Sequence, residues 1–355
     1  MNEETLRQIL DLARWAPSGD NTQPWRFEID GDAHLVIHGF DTRDHCLYDI
    51  DGHPSQISIG ALLETIRIAA SGHRLSVTIE RRIADETRPI FDVWLKSDPG
   101  IVPSPLIPYI TTRTVQRRAM STRALSAEQK NALEASVGRD YSICWREGWR
   151  MRLATARLMF ASAKIRLTTP EAYAVHKSVI EWNARFSTDR IPDQAVGLDP
   201  LTTRVTHWVM QDWHRVEFFN RYLGGTLVPR LQLDVLPALA CAAHFLIAAR
   251  RAPTGIDDYV SAGRAVQRFW LTAAQLGLLL QPEMTPLIFS LYARDDREFS
   301  VREDSLDSAR EVRADLARLM GDASLETGVY MGRIGSGSSP NSRSTRIDLE
   351  ALLKH

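Results

Sequence analysis

Three cysteines, Cys46, Cys144 and Cys241, are scattered through 355 residues. They are too few and too far apart for a disulfide framework or a CxxC metal or redox site. Charge of one sign is not in excess: 43 Lys and Arg stand against 44 Asp and Glu, a net charge of -1. Nucleic acid and anionic membranes therefore have no electrostatic reason to bind. Long apolar runs are missing too. The longest, Val235 to Ala249, contains Pro237 and His244 and is too short to span a bilayer. The opening MNEETLRQILDLARWA carries acids early and no continuous apolar stretch, so no signal peptide is expected. No nucleophile triad, metal-ligand spacing or pair of catalytic carboxylates stands out. These absences predict a cytoplasmic protein with neither nucleic acid nor membrane as partner.

What is present is an ordinary globular composition, 44% hydrophobic and 25% charged, on a chain long enough for one large domain or two ordinary ones. Residues 4–16 place Leu6, Ile9, Leu10 and Ala13 near one face, an amphipathic helix ended by Pro17. WRFEIDGDAHLVIHGF reads as two strands around Asp30-Gly31-Asp32, and SIGALLETIRIAA, from Ser58 to Ala70, as a buried helix stopped by Gly72. LSVTIERRI and PIFDVWLKS follow as strands. The first part thus reads helix, hairpin, helix, hairpin, an α+β pattern.

Residues 99–111, PGIVPSPLIPYIT, are proline-rich and predict an extended linker. Ser126 to Gln129 matches a capping box and opens the next helix. From about 150 to 235 the segments read as mainly helical and rich in Trp, His and Arg, and Thr168 to Pro229 lacks clean periodicity. Ser261 to Pro282 predicts a helix broken at Gly277; it weakly echoes SIGALLETIRIAASG, an internal repeat with unequal spacing. Residues 303–320 form another amphipathic helix, and the tail GRIGSGSSPNSRSTR is rich in Gly and Ser.

Three elements have chemistry to offer. In the turn Pro17-Ser18-Gly19-Asp20-Asn21-Thr22-Gln23-Pro24, Gly19 permits positive φ or close backbone approach, and Ser18, Asn21 and Gln23 suit the edge of a polar heterocycle. A capped helix end with Asx-turn residues would use the same letters. In TTRTVQRR, from Thr111 to Arg118, Arg113, Thr114 and Arg117 over one turn would clamp a phosphate, or else form a solvated basic surface. The tail from Gly332 to Arg343 offers backbone amides and an arginine for an anion nest, or else disorder.

ARWAPSGDNTQPWRF resembles the nitroreductase family's A-x-x-A-P-S-x-x-N-x-Q-P-W element, matched at Ala13, Ala16, Pro17, Ser18, Asn21, Gln23, Pro24 and Trp25. TTRTVQRRAMSTRALSAEQ resembles the family's R-x-S/T-x-x-R start, and GRAVQRFWLTAAQLGL the helix before its flavin-contacting backbone. Ordinary members carry both elements in one shorter chain and build two flavin sites between two subunits. Here the turn lies in the first part and the arginines in the second, and VGRDYSICWREG, the second part's counterpart of the turn, does not match.

The chain therefore resembles the family's internally duplicated Acg-type branch. That resemblance implies two tandem nitroreductase-like halves forming a pseudo-dimer: residues 1–98, a linker at 99–111, and residues 112–355 with a helical lid at about 160–230. It implies one FMN, with Pro17, Ser18, Gly19, Asn21 and Gln23 on the ring and ribityl side, and Arg113, Thr114, Arg117 and Arg343 on the phosphate. The backbone at Gln281 and Pro282 would approach the N5 edge. The implied reaction takes a hydride from NADH or NADPH and reduces a small acceptor; flavin storage and a biosynthetic flavin oxidase or dehydrogenase are the alternatives. A monomer would suffice for one site, with a homodimer still possible.

Overall fold

The computed structural model describes residues 2–83 and 85–354, so the Met1 and His355 limits of the two expected halves lie outside it. The first helix, α1 (Glu3–Ala13), is capped by Asn2 and ends three residues sooner than its apolar spacing predicts, because Arg14 to Ala16 form a tighter closing turn. Strands β1 (Trp25–Ile29) and β2 (His34–Gly39) make the expected hairpin. Trp25, Phe27, Leu35 and Ile37 point inward while Arg26 and Glu28 point out, the alternation of a half-buried sheet. Helix α2 (His53–Ser71) begins five residues earlier than Ser58, after left-handed Gly52 and with Pro54 in its first turn. Strands β3 (Leu75–Arg81) and β4 (Ile90–Ser97) complete an antiparallel sheet of order β1-β2-β4-β3.

The proline-rich segment is not extended throughout: Ile107–Tyr109 form a 3-10 turn. Helix α3 (Ala127–Val137) carries the capping box in full, with Ser126 and Gln129 bonding each other's backbone. VGRDYSICWREG supplies strand β5 (Tyr141–Glu147). A long excursion follows, with α4 (Gly148–Thr168), α5 (Pro170–Val179), α6 (Pro200–Val209) and α7 (Trp213–Tyr222). Its middle is not helical, since two-residue strands at 180–181, 186–187 and 191–192 interrupt it. The apolar run before Ala249 becomes β6 (Ala243–Ala249), buried on both faces. Helix α8 (Ile256–Gln275) starts before Ser261 and stops two residues short of left-handed Gly277, the expected break, beyond which the chain forms β7 (Leu279–Pro282). Helices α9 (Met284–Arg294) and α10 (Ser305–Met320) lead to β8 (Gly328–Gly335). The Gly332–Gly335 portion of the tail is therefore a buried strand rather than a nest or a disordered segment.

The second sheet has order β5-β6-β8-β7. In each sheet the strands run first, second, fourth, third, and in each a long buried helix joins second to third. Those two helices cross at glycine. A Cβ on Gly60 of α2 would lie 2.0 Å from the Val260 carbonyl oxygen, and one on Gly263 of α8 would lie 2.0 Å from that of Ile57. Each glycine meets the residue three positions before the other, a reciprocal contact of the isologous kind. Farther along, buried Glu64 is bonded by Arg67 and receives Arg264 at 3.1 Å and Arg268 at 3.2 Å, while Gln267 donates to Thr65 at 2.9 Å. Burial alone would raise the Glu64 pKa; the arginines outweigh it and hold the carboxylate below its usual range.

The segments that follow each sheet cross over. Val115 bridges Leu280 of β7, and Leu353 bridges Phe27 of β1, both in parallel sense. Because the glycine contacts are backbone to backbone, no side chain can yield. Gly60→Ala and Gly263→Ala should each destabilise the protein by about 3 kcal/mol or more. Gly255→Ala, where an added methyl meets open space, should cost under about 1 kcal/mol by comparison. Urea unfolding checks this, and equal tolerance at all three positions would contradict the close crossing.

Candidate functional site

The turn after α1 holds its backbone in an unusual state. Asp20, Asn21 and Gln23 have φ of 48°, 64° and 48°, all left-handed without being glycine. Such residues store strain of order 1–3 kcal/mol each and cluster at working sites. Gly19 does not take positive φ as the sequence suggested; it is exposed, and a Cβ there would meet nothing within 4 Å. The strain is held by bonds to distant backbone. The Asn21 amide donates to the carbonyls of Thr188 (3.0 Å), Arg190 and Thr345 (both 3.3 Å). Gln23 donates to Thr188 at 2.9 Å and accepts from the Ile347 amide at 3.0 Å. Ser18 Oγ accepts from the Gln23 amide at 3.0 Å. Asn21 and Gln23 thus spend their amide donors on the protein, and only Asn21 Oδ1 is left buried without a partner.

Three arginines converge behind this turn. Arg113 donates to the Trp15 carbonyl at 3.0 Å with its guanidinium 4.4 Å over the Trp270 ring. Arg346 makes two bonds to the Ala16 carbonyl, at 3.1 and 3.0 Å. Arg343 bonds Thr111 at 2.9 Å and lies 5.2 Å over Trp15. Arg113 and Arg346 are buried, and their charges repel: burial and Arg343 push Arg113 down to about 10, while burial, Arg113, Arg343 and Arg14 hold Arg346 well below its ordinary value. Among the described residues no carboxylate answers any of the three. Arg113 Nε and the neighbouring Tyr330 hydroxyl are buried without partners. Arg346 was missed by the sequence reading, although it stands three residues past Arg343 in the same tail.

Arg117 sits elsewhere. It donates weakly to Ala195 at 3.4 Å, and its charge faces Asp20 rather than the arginine cluster. Thr114 is half-buried next to the Val115–Leu280 bridge, which lays residues 114–117 along the strand carrying Gln281 and Pro282. The tail closes over them through Gln116, which donates to Ser338 at 2.8 Å. The structure therefore brings turn, basic segment, β7 and tail together, and of the lid expected at 160–230 it sets residues 186–197 against them.

Beneath β7 lies a buried ion triad. His244 Nδ1 is 2.7 Å from Glu283 Oε2, Arg333 donates to Glu283 Oε1 at 3.0 Å, and Arg333 also donates to the Arg117 carbonyl at 2.9 Å. The triad ties the end of β7 to the basic segment. Its one visible sequence sign is the histidine interrupting the longest apolar run.

Comparison with known proteins adds three findings. The Nitroreductase family model matches residues 1–36, which hold α1, the strained turn, β1 and the start of β2. An uncharacterized protein of Mycobacterium tuberculosis is 25% identical over 306 residues, 82% of this chain, which spans 40% of that relative's length. The crystal structure of a nitroreductase-like family protein from Bacillus cereus aligns over 71% of this chain and 96% of its own, with 10% identity and a TM-score of 0.36, too weak a likeness to assign a fold. No helix among the described residues is long and apolar enough to cross a membrane.

The triad makes stability depend on pH. Burial alone would lower the His244 pKa, but Glu283 overrides it and raises it to about 10. A raised histidine pKa contributes stability that is complete below the unfolded value near 6.5 and disappears as pH rises through about 10. Stability measured by urea unfolding should therefore decline from pH 7 to 10, and His244→Gln should flatten that decline. An unchanged slope in the variant would place the titration elsewhere.

Proposed function

We propose that this chain is a flavin-dependent oxidoreductase that holds one FMN between the turn at 17–23 and the segments at 111–117 and 343–346. The observation that carries this reading is the cluster of Arg113, Arg343 and Arg346, buried or half-buried, mutually repelling and without a carboxylate. A buried charge without a counterion is costly, and a phosphate is the anion that three guanidiniums fit. The unpartnered Arg113 Nε and Tyr330 hydroxyl are consistent with a ligand that completes them. The family-model match over residues 1–36 and the A-P-S-x-x-N-x-Q-P-W pattern support flavin as the group that carries the phosphate.

A bound flavin would supply hydride chemistry between NADH or NADPH and a small acceptor, and the protein supplies position, charge and exclusion of water. In this reading Arg113, Arg343 and Arg346 hold the phosphate. Pro17, Ser18 and Gly19 present their exposed edge to the ring and ribityl chain. Asn21 and Gln23 act one step back, fixing the strained backbone from which Ser18 and Gly19 project. Thr114 and Arg117 line the opposite side, and Gln281 and Pro282, with an unpartnered Gln281 Oε1, form the floor. The matched strand order of the two sheets and the reciprocal glycine crossing support a duplicated pseudo-dimer, so one chain contains the whole site.

Flavin storage is the second reading. It is favoured by Thr188 and Arg190, which place the excursion directly on the turn. Bleaching of the flavin bands by NADPH or NADH without oxygen separates turnover from storage. Heat release should yield one flavin per chain, and two per chain would overturn the single-site assignment.

A charged hydrogen bond to phosphate contributes about 1.5–3 kcal/mol. Arg113→Ala should then weaken FMN binding roughly ten- to a hundredfold and riboflavin binding far less. Ser18→Ala should weaken both alike. Equal loss of FMN and riboflavin in Arg113→Ala would return the arginine to a structural role, capping the carbonyls at the end of α1.

A further inference from the structure

The excursion between β5 and β6 encloses a cavity of about 340 Å³, within the range that takes a small molecule. Its wall is made largely by Leu201, Val205, Val209, Met210, Phe219 and Leu223. The excursion's aromatic rings mostly pack on one another: Trp182 stacks on His207 at 4.4 Å, and Tyr173 meets Trp213 at 5.3 Å. The space is therefore bounded by aliphatic side chains more than by a clamp of indoles.

The strong polar groups on this wall are already engaged. Arg166 is paired with Asp234 at 2.9 Å, and the Tyr173 hydroxyl donates to Met210 at 3.0 Å. Thr202 bonds Asp199, and the Asn220 amide donates to Leu167 at 2.9 Å. His176 is held by Tyr48 at 3.0 Å; burial, then the charge of Arg166, push it down to about 3, so the ring is neutral. A charged ligand would find no unanswered countercharge here, in contrast to the arginine cluster. The mouth is apolar as well, with Leu201, Val205 and Leu223 exposed at 70%, 43% and 60%.

The excursion that holds the cavity touches the turn, since Asn21 donates to the carbonyls of Thr188 and Arg190. Arg166, on the cavity wall, acts electrostatically on Asp20 of the turn, and Tyr48, bonded to the wall residue His176 at 3.0 Å, feels the charge of Asp20. We propose that this cavity binds a neutral, apolar small molecule and presents it to the turn at 17–23. The position next to the redox group rests on the flavin reading above; the apolar pocket itself does not.

The test uses the protein as purified and two fluorophores of one skeleton: neutral phenylnaphthylamine and its anionic analogue anilinonaphthalene sulfonate. The neutral compound should bind at least tenfold more tightly. Val209→Trp, which fills the cavity, should weaken it tenfold or more, and Val205→Asp, a change at the exposed mouth, several-fold. Flavin content read from absorbance should stay unchanged in both variants. In the flavin-containing protein, bound phenylnaphthylamine should shift the visible flavin bands.

Equal or tighter binding of the sulfonate, or binding indifferent to both substitutions, overturns the apolar pocket. Binding that leaves the flavin bands unmoved overturns its placement beside the turn. A chain that binds phenylnaphthylamine as expected yet carries no flavin refutes the flavin reading while upholding the pocket.

Discussion

The backbone contact between α2 and α8 is the constraint on which the rest depends. At Gly60 and Gly263 the two helices approach until a methyl group on either would overlap a carbonyl of the other. This closeness sets the separation of the two sheets, each of which rests on one of the helices. It also brings Glu64 within reach of Arg264 and Arg268, so that a buried carboxylate is answered from across the crossing. With the sheets so placed, the segment after each is long enough to reach the other, which gives the bridges at Val115–Leu280 and Phe27–Leu353. The basic segment and the tail meet the turn after α1 because of those exchanges, not because they are near in sequence.

Two buried collections of charge then differ in kind. In the triad, Glu283 stands between His244 and Arg333, with Asp234 close enough to add its field, so most positive charge has an acid to meet it. Around Trp15 the partners of Arg113 and Arg346 are carbonyl oxygens at the end of α1. A helix terminus offers only about half a unit of negative charge, which does not match two buried guanidiniums and a third beside them. The triad contains its own carboxylate; the arginine cluster contains none. The distinction rests on counting charges rather than on distances, and it sets two neighbouring groups apart within one small region.

Much of this was legible in the sequence where the signal is local. Asp30-Gly31-Asp32 marked the hairpin, Ser126 and Gln129 the capping box, and Pro17 with Ser18 and Asn21 the turn. Legibility failed where the partner is a backbone carbonyl, since every residue has one and none is marked by its side chain. Thr188, Arg190 and Thr345 hold Asn21 through their carbonyls, so nothing in the lid expected at 160–230 marked which of its residues would touch the turn. Gly19 was the natural choice for positive φ, yet distant bonds impose that state on Asp20, Asn21 and Gln23 instead. Arg346 was overlooked for a different reason: it was read with a flexible tail, and only the crossover to Phe27 draws that tail inward. The end of the long apolar helix was legible only through Gly277, because β7 beyond it is as apolar as the helix before it.

The strained turn shows how these parts depend on one another. Left-handed backbone at three non-glycine residues persists only where surrounding contacts over-determine it. Here those contacts come from residues 188–190 and 345–347, at least 165 residues away from the turn in sequence. Neither the first sheet nor α1 can therefore set the turn by itself; the excursion and the tail must already be in place. The tail is itself fixed by Arg346 on the Ala16 carbonyl and Arg343 on that of Thr111. The side chains that gather positive charge behind the turn thus also anchor the segment that shapes it. An anion settling among those arginines would relieve their repulsion and tighten the tail, and through Thr345 and Ile347 that tightening would reach Asn21 and Gln23.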